Sequence, residues 1–125
     1  HVDGFYYRPR TDLETLAEFS EGLIGFTGCM QGWIPQLILR GEEKEAENAM
    51  GQMIEIFGKE NYFVELHNHG IEEQVRLVPE LLRLAKKFDL KTVASNDVHY
   101  VRGEDWDAFL AFLDAQLQTR SGPEP

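Results

Sequence analysis

The sequence predicts an α/β fold in which three parallel β-strands are flanked by helices, and three observations support this prediction. Short apolar segments alternate along the chain with longer segments whose apolar residues recur at helical spacing. The segments between successive predicted strands are long enough for the helical crossovers that parallel strands require. The chain has 125 residues, whereas a complete (β/α) barrel needs about 250. The sequence therefore predicts part of a barrel.

The predicted elements, in chain order, are helix 11–19, strand 22–27, helices 31–39 and 42–57, strand 62–67, helix 72–88, strand 91–96 and helix 103–117. Residues 1–10 are expected to be extended or irregular. Helix 11–19 begins with a capping-box sequence, in which the hydroxyl of Thr11 and the carboxylate of Glu14 satisfy each other's backbone amides. Strand 22–27 is a short apolar segment, and helix 31–39 places Pro35 in its first turn, where a missing N–H group is tolerated.

Helix 42–57 has a clear amphipathic pattern, with an apolar stripe opposite a mostly acidic face, and Gly58 ends it. Strand 62–67 follows. Helix 72–88 is expected to bend or restart near Pro79, because proline cannot donate a backbone hydrogen bond. Strand 91–96 and helix 103–117 complete the alternation. We expect one domain spanning residues 1–119, and a frayed tail or cut linker at residues 120–125.

The composition narrows the classes of function open to this chain. Lys and Arg total 12 against 22 Asp and Glu, a net charge of −10, which disfavours a nucleic-acid interface built by this segment alone. No apolar segment approaches the roughly 18 residues of a membrane span, so no membrane partner is expected. The single cysteine, Cys29, excludes an internal disulfide and is consistent with a reducing compartment. Because the first residue is His1 and not Met, we expect a piece of a longer protein.

Reactive side chains follow each of the three predicted strands. Cys29 follows the first, His67 and His69 end the second, and Asp97 and His99 follow the third. Because the carboxyl ends of parallel strands meet at one edge of a sheet, we expect these side chains to gather there. Thiolate, imidazole and carboxylate groups are the usual ligands of zinc and related metals. The sequence thus predicts a metal site. The simpler alternative is a buried cysteine and a histidine spacing that reflects only strand geometry.

Four sequence blocks occur in the same order in one known family. They are GFYYRPR at 4–10, SEGLI at 20–24 with GC at 28–29, ELHNHG at 65–70, and ASNDVHY at 94–100. Over residues 4–107 the chain resembles the later part of the PHP (polymerase and histidinol phosphatase) domain of bacterial replicative DNA polymerase III alpha subunits. The resemblance implies a fold of the PHP type, a distorted (β/α) barrel, of which this chain holds the carboxyl-side portion.

The resemblance also implies roles for the residues at the strand ends. Cys29 matches the family's cysteine ligand, and Asp97 and His99 match its final Asp-x-His ligand pair. Family members with the full site bind a cluster of zinc, manganese or iron ions. His69 matches a histidine that is common in the family, whereas His67 stands where glutamine is usual. These two histidines are candidates to support a metal ligand or to contact a substrate.

The function implied by the resemblance belongs mainly to the parent protein, a cytoplasmic DNA-directed DNA polymerase (nucleotidyltransferase). Its partners are DNA, deoxynucleotides and other replication subunits, including the proofreading exonuclease. Magnesium serves a polymerase site outside this segment, which holds no catalytic residue for polymerisation. The PHP site is expected to contribute metal binding and phosphoesterase or 3′–5′ exonuclease activity, although we expect the isolated segment to be inactive.

Two alternatives remain open. One is a structural module that docks the proofreading subunit and keeps only a vestigial site. The other is a free-standing PHP metal-dependent phosphoesterase. The aromatic opening at residues 5–10 favours the polymerase branch over this alternative.

Overall fold

Three short parallel strands and the helices between them organise the described part of the chain. The computed structural model describes residues 5–6, 8–98 and 102. Its elements, in chain order, are β1 (Phe5–Tyr6), β2 (Arg8–Pro9), α1 (Leu13–Glu18), β3 (Gly25–Phe26), α2 (Trp33–Leu39), α3 (Glu43–Phe57), β4 (Tyr62–Leu66), α4 (Glu72–Phe88) and β5 (Thr92–Ala94). The predicted helix 103–117 and the predicted tail 120–125 lie outside the described residues.

The sheet has the predicted parallel pairing. Its strand order is β3-β4-β5, with Gly25 opposite Tyr62 in one parallel pair and Leu66 opposite Ala94 in the other. The predicted α/β class with three parallel strands is therefore confirmed. The opening segment adds a separate antiparallel pair, β1 with β2.

The hydrophobic core lies between β4 and the helices α2, α3 and α4. Its apolar residues form one buried cluster: Ile34, Leu37, Ala46, Ala49, Met50, Tyr62, Val64, Leu77, Leu81, Leu84, Ala85 and Leu90. The buried stripe of α3 and that of α4 recur every three or four residues, as expected for amphipathic helices. Burying one large apolar side chain contributes about 1.5–3 kcal/mol, so this cluster holds the helices against the sheet.

The first parallel strand is much shorter than the predicted strand 22–27. Gly22 has a φ of 77°, and the backbone N–H of Leu23 donates to the carbonyl of Ser20 at 3.0 Å. This turn takes the start of the predicted strand away from β4. Ile24 is exposed, and the strand is reduced to Gly25–Phe26.

Pro79 does not interrupt α4, so the predicted restart at that position is wrong. The helix continues from Glu72 to Phe88 with Pro79 inside it. Proline removes the hydrogen bond to the carbonyl group four residues earlier, that of Val75. Both Val75 and Pro79 are exposed, so solvent can reach this part of the helix and limit the cost of the missing bond.

The cap of α1 also differs from the predicted capping box. Asp12, rather than Thr11, is the capping residue, and its carboxylate accepts a hydrogen bond from the Thr15 backbone N–H at 2.8 Å. That bond lowers the pKa of Asp12 below its ordinary value. A charged carboxylate one position later makes a stronger cap than a hydroxyl, because charge-assisted hydrogen bonds are stronger.

Among the described helices, none is long and apolar enough to cross a membrane.

Candidate functional site

Cys29 is held at the carboxyl end of β3 by a tight loop that leads into α2. Gly28 has a φ of 78°, a conformation that favours glycine. The backbone N–H of Gly32 donates to the carbonyl of Cys29 at 2.8 Å. A side chain at Gly32 would overlap the carbonyl oxygen of Thr27. The loop can therefore make this turn only because position 32 carries no Cβ.

Glu65, His67 and Ser95 form a hydrogen-bonded network at the carboxyl ends of β4 and β5. The Ser95 hydroxyl donates to Glu65 Oε1 at 2.5 Å, and His67 Nε2 lies 2.8 Å from Ser95 Oγ. Since a hydroxyl has one proton to donate, Ser95 Oγ must accept from an N–H at His67 Nε2. His67 Nε2 is also 3.2 Å from Glu65 Oε1, and the His67 side chain is only 5% exposed. The Nε2 proton of His67 is therefore held inside the network.

Thr27 connects the end of β3 to this network. It is buried, and its hydroxyl oxygen accepts a hydrogen bond from the backbone N–H of Glu65 at 2.9 Å. On the other side of β4, the backbone N–H of Ser95 donates to the carbonyl of Leu66 at 3.1 Å. The three strands are thus tied together at the edge where the polar side chains gather.

A second pair of polar side chains, His69 and Gln74, lies just beyond β4. The backbone N–H of His69 donates to Gln74 Oε1 at 2.7 Å, and Gln74 Nε2 is 3.1 Å from His69 Nδ1. Gln74 belongs to α4 and is buried, with 3% of its surface exposed. The rings of His67 and His69 are 5.8 Å apart between centroids. The first turn of α4 therefore positions His69 beside the network.

Two cavities border these groups. A small cavity of about 10 Å³ is lined by Gly28, Cys29, Met30, Pro35, Glu65, His67, Gln74, Leu77, Val78 and Leu81. This volume is enough for about one water molecule. A larger groove of about 480 Å³ runs between α4 and the ends of β4 and β5, and both His67 and Ser95 line it. The structure thus brings Cys29 and His67 to one cavity.

The described residues do not by themselves fit a metal ion. Within residues 5–6, 8–98 and 102, no three His, Cys, Asp or Glu side chains are grouped so that they could hold one. Glu65 and His67 bond to Ser95 and to each other. These two side chains and Cys29 do not form a group that could hold one ion. Asp97 lies beyond β5 with a φ of 52°. His99 lies outside the described residues, so the ligand set of Cys29, Asp97 and His99 stays a prediction.

Sequence reasoning missed three of these polar groups: Glu65, Ser95 and Gln74. A signal for Glu65 exists, because residues two apart on a strand share a face and Glu65 stands two residues before His67. Ser95 also follows a strand, but serine is too common there to stand out. No local pattern marks Gln74, because its role depends on how α4 packs against the sheet.

Comparisons with known proteins agree with this architecture. The PHP domain family matches residues 1–69. The chain is 41% identical over 105 residues to the DNA polymerase III subunit alpha of Treponema pallidum, covering 84% of this chain and 9% of that protein. It is 41% identical over 119 residues to the same subunit of Thermus aquaticus, covering 95% of this chain and 10% of that protein. For the subunit of Deinococcus radiodurans the identity is 36% over 124 residues, covering 99% of this chain and 9% of that protein.

The chain spans about a tenth of the length of these relatives. Similarity to the family suggests metal dependence in general terms. Because the family match covers more than half of the chain and three parallel strands with intervening helices provide the framework, this chain belongs to the PHP domain family.

Proposed function

We propose that this chain is the carboxyl-side portion of the PHP domain of a bacterial replicative DNA polymerase III alpha subunit. The observation that carries the proposal is the 41% identity to the Thermus aquaticus subunit over 119 residues, which is nearly the whole chain. On this proposal residues 1–119 belong to the domain and residues 120–125 form a tail or linker. The parent protein acts in the cytoplasm.

The parent protein catalyses DNA-templated DNA synthesis. Its substrates are deoxynucleotides and a primed DNA template, and its polymerase site uses magnesium ions to stabilise the transferred phosphoryl group. That site lies outside this segment. Its other partners are subunits of the replication machinery, including the proofreading exonuclease. The acidic balance of this segment, with a net charge of −10, supports a DNA-binding surface elsewhere in the protein.

The PHP site contributes metal binding and phosphoesterase or 3′–5′ exonuclease activity. We assign Cys29, Asp97 and His99 as three of its ligands, for zinc, manganese or iron, with the remaining ligands supplied by other parts of the polypeptide. A thiolate among the donors favours zinc or iron over manganese. His67 and His69 then lie beside the metal site and support a ligand or contact the substrate.

A second candidate function is a structural docking module with a vestigial site. It is supported by the network of Glu65, His67 and Ser95, whose side chains satisfy one another without an ion. On this view the network stabilises the strand ends, and the outer surfaces of the domain bind the proofreading subunit.

One set of measurements on the full-length protein separates these candidates. We expect the Cys29→Ser and Asp97→Asn variants to lose metal affinity by about tenfold or more and to lose 3′–5′ exonuclease activity, while primer extension is retained. Asp89→Asn is a matched control, because Asp89 has nearly the same backbone conformation, with φ of 53° against 52° for Asp97.

Each outcome decides one part of the proposal. Absence of primer extension by the full-length wild-type protein overturns the polymerase assignment. Unchanged metal content in both variants, measured by elemental analysis, overturns the ligand assignment. Absence of exonuclease activity in a wild-type protein that still extends primers favours the structural module, whether or not metal is bound.

A further inference from the structure

The orientation of the Gln74 side-chain amide follows from its hydrogen bond to the backbone of His69. A backbone N–H group is always a donor, and that of His69 lies 2.7 Å from Gln74 Oε1. The opposite amide orientation would place the NH₂ group of Gln74 against this N–H, donor against donor. The oxygen of Gln74 must therefore face the backbone, and its nitrogen must face the imidazole ring.

This orientation determines which ring nitrogen of His69 carries the proton. Gln74 Nε2 lies 3.1 Å from His69 Nδ1, and an amide NH₂ group can only donate. Nδ1 must then be an acceptor, so in the neutral ring the proton is on Nε2. A ring protonated on both nitrogens would again oppose two donors across this contact.

We propose that Gln74 is a positioning residue that holds His69 as the neutral Nε2–H form, so that His69 serves the site as a hydrogen-bond donor and not as a metal ligand. A neutral histidine binds a metal through its unprotonated nitrogen, and at His69 that nitrogen is engaged by Gln74. His69 is exposed whereas Gln74 is buried. The Nε2–H group of His69 is then the donor that is available to an oxygen or nitrogen acceptor of a ligand.

Only the use of this donor by a substrate rests on the proposed function. The protonation form itself follows from the two contacts of Gln74 and can be measured without DNA or enzymatic activity. If the protein proves not to be a polymerase, the protonation form assigned to His69 is unaffected. If that protonation form proves wrong, the polymerase proposal is unaffected.

The test is nitrogen NMR of the histidine rings in protein labelled with ¹⁵N-histidine. Magic-angle-spinning spectra of sedimented protein suit this measurement, because they do not require a small particle. The His69 signals are those that disappear in the His69→Asn variant. We expect a protonated Nε2 and an unprotonated Nδ1 at mildly alkaline pH.

The Gln74→Glu variant should move the proton. A carboxylate of the same shape accepts from the backbone N–H and also from Nδ1, so we expect His69 to gain a proton on Nδ1. Gln52→Glu, an exposed position on α3, adds the same charge without contacting His69 and should leave its signals unchanged. Zinc ions added to the wild type should also leave the protonated Nε2 signal of His69 in place.

Three results would overturn the assignment. One is a wild-type His69 with its proton on Nδ1. Another is a Gln74→Glu variant whose His69 signals match those of the wild type. The last is a zinc-induced loss of the Nε2 proton, because His69 would then be a metal ligand.

Discussion

At the scale of single residues, two glycines of neighbouring helices have opposite steric surroundings. A Cβ at Gly32, the cap of α2, would overlap the carbonyl oxygen of Thr27 and lie 3.0 Å from that of Cys29. A Cβ at Gly51, inside α3, would meet nothing within 4 Å. The first glycine is therefore required by the loop that carries Cys29, and the second is not required by packing.

These surroundings predict opposite effects of the same substitution. Gly32→Ala should destabilise the protein by about 1–3 kcal/mol, because a backbone oxygen must move. Gly51→Ala should stabilise it by up to about 1 kcal/mol, since alanine is the better helix former. Urea-induced unfolding followed by circular dichroism measures both values. Changes of the same sign in the two variants would contradict the placement of the loop.

Two leucines on α4 offer a second matched pair. Leu84 is fully buried, with 0% exposed, whereas Leu82 is 44% exposed. Leu84→Ala should cost about 2–5 kcal/mol through lost burial and the cavity left behind, and Leu82→Ala should stay within about 0.5 kcal/mol of the wild type. The same unfolding experiment compares them. Equal costs would mean that α4 packs with a different face against the sheet.

At the scale of elements, an ion-pair cluster joins α3 to α4. Glu47 on α3 accepts from Lys87 Nζ at 2.7 Å and from Arg83 Nη1 at 2.9 Å, both on α4. The hydrogen bond from Lys87, together with that from Arg83, holds the pKa of Glu47 below its ordinary value of 4.5. Because the Arg83 and Lys87 side chains are 40% and 49% exposed, we expect only a modest contribution to stability.

The sign of the pH dependence follows from this lowered pKa. A carboxyl group with a lower pKa in the folded state stabilises the protein above its unfolded-state pKa, and this contribution is lost as pH falls through the folded-state pKa. Glu47→Gln should therefore lower the thermal midpoint at neutral pH, and its difference from the wild type should shrink at acidic pH. Thermal unfolding across a pH series measures this difference.

Glu45→Gln is the control for this experiment. Glu45 lies on the same helix and is exposed, and the described part of the chain gives it no ion pair. A Glu47→Gln effect equal to that of Glu45→Gln at every pH would show that the ion pairs contribute nothing measurable.

At the scale of the whole molecule, exposed apolar side chains lie on and beside β3, one of the two outer strands of the described sheet. Phe19, Leu23, Ile24, Phe26 and Trp33 each expose between 44% and 66% of their surface. An outer strand with apolar neighbours is a site for pairing with another chain. The net charge of −10 opposes close approach but does not cover this surface.

We expect the isolated 125-residue chain to self-associate through this surface. Replacing Ile24 by lysine should shift the population toward monomers, because a charged side chain beside an outer strand disfavours pairing. Val98→Lys, at an even more exposed position after β5, is the control and should leave the association unchanged. Sedimentation velocity and light scattering report the distribution. If the wild type is a monodisperse monomer, the exposed apolar surface does not drive self-association and the expectation is wrong.

Much of the fold could be predicted because its causes are local. The apolar stripe of α3 and the short segment of β4 lie within single stretches of sequence, and their periodicity needs no knowledge of the rest of the chain. Predictions that weighed one residue alone were weaker. α4 was expected to bend or restart near Pro79, and it does not restart there, because helix packing on both sides of Pro79 outweighs one missing hydrogen bond. Thr11 was expected to cap α1, but Asp12 offers the charged acceptor.

The sequence by itself determined the order of the elements, their amphipathic faces and the resemblance to the PHP family, because each depends on residues close together in the chain. Only the tertiary structure decided how the polar groups at the sheet edge are partnered. Glu65 and Ser95 are 30 residues apart in sequence, and they meet because Leu66 pairs with Ala94 in the parallel register of β4 and β5. A one-residue change of that register would turn the side chains to the opposite face. The contact between Gln74 and His69 likewise depends on where α4 begins relative to the sheet, which no local pattern records.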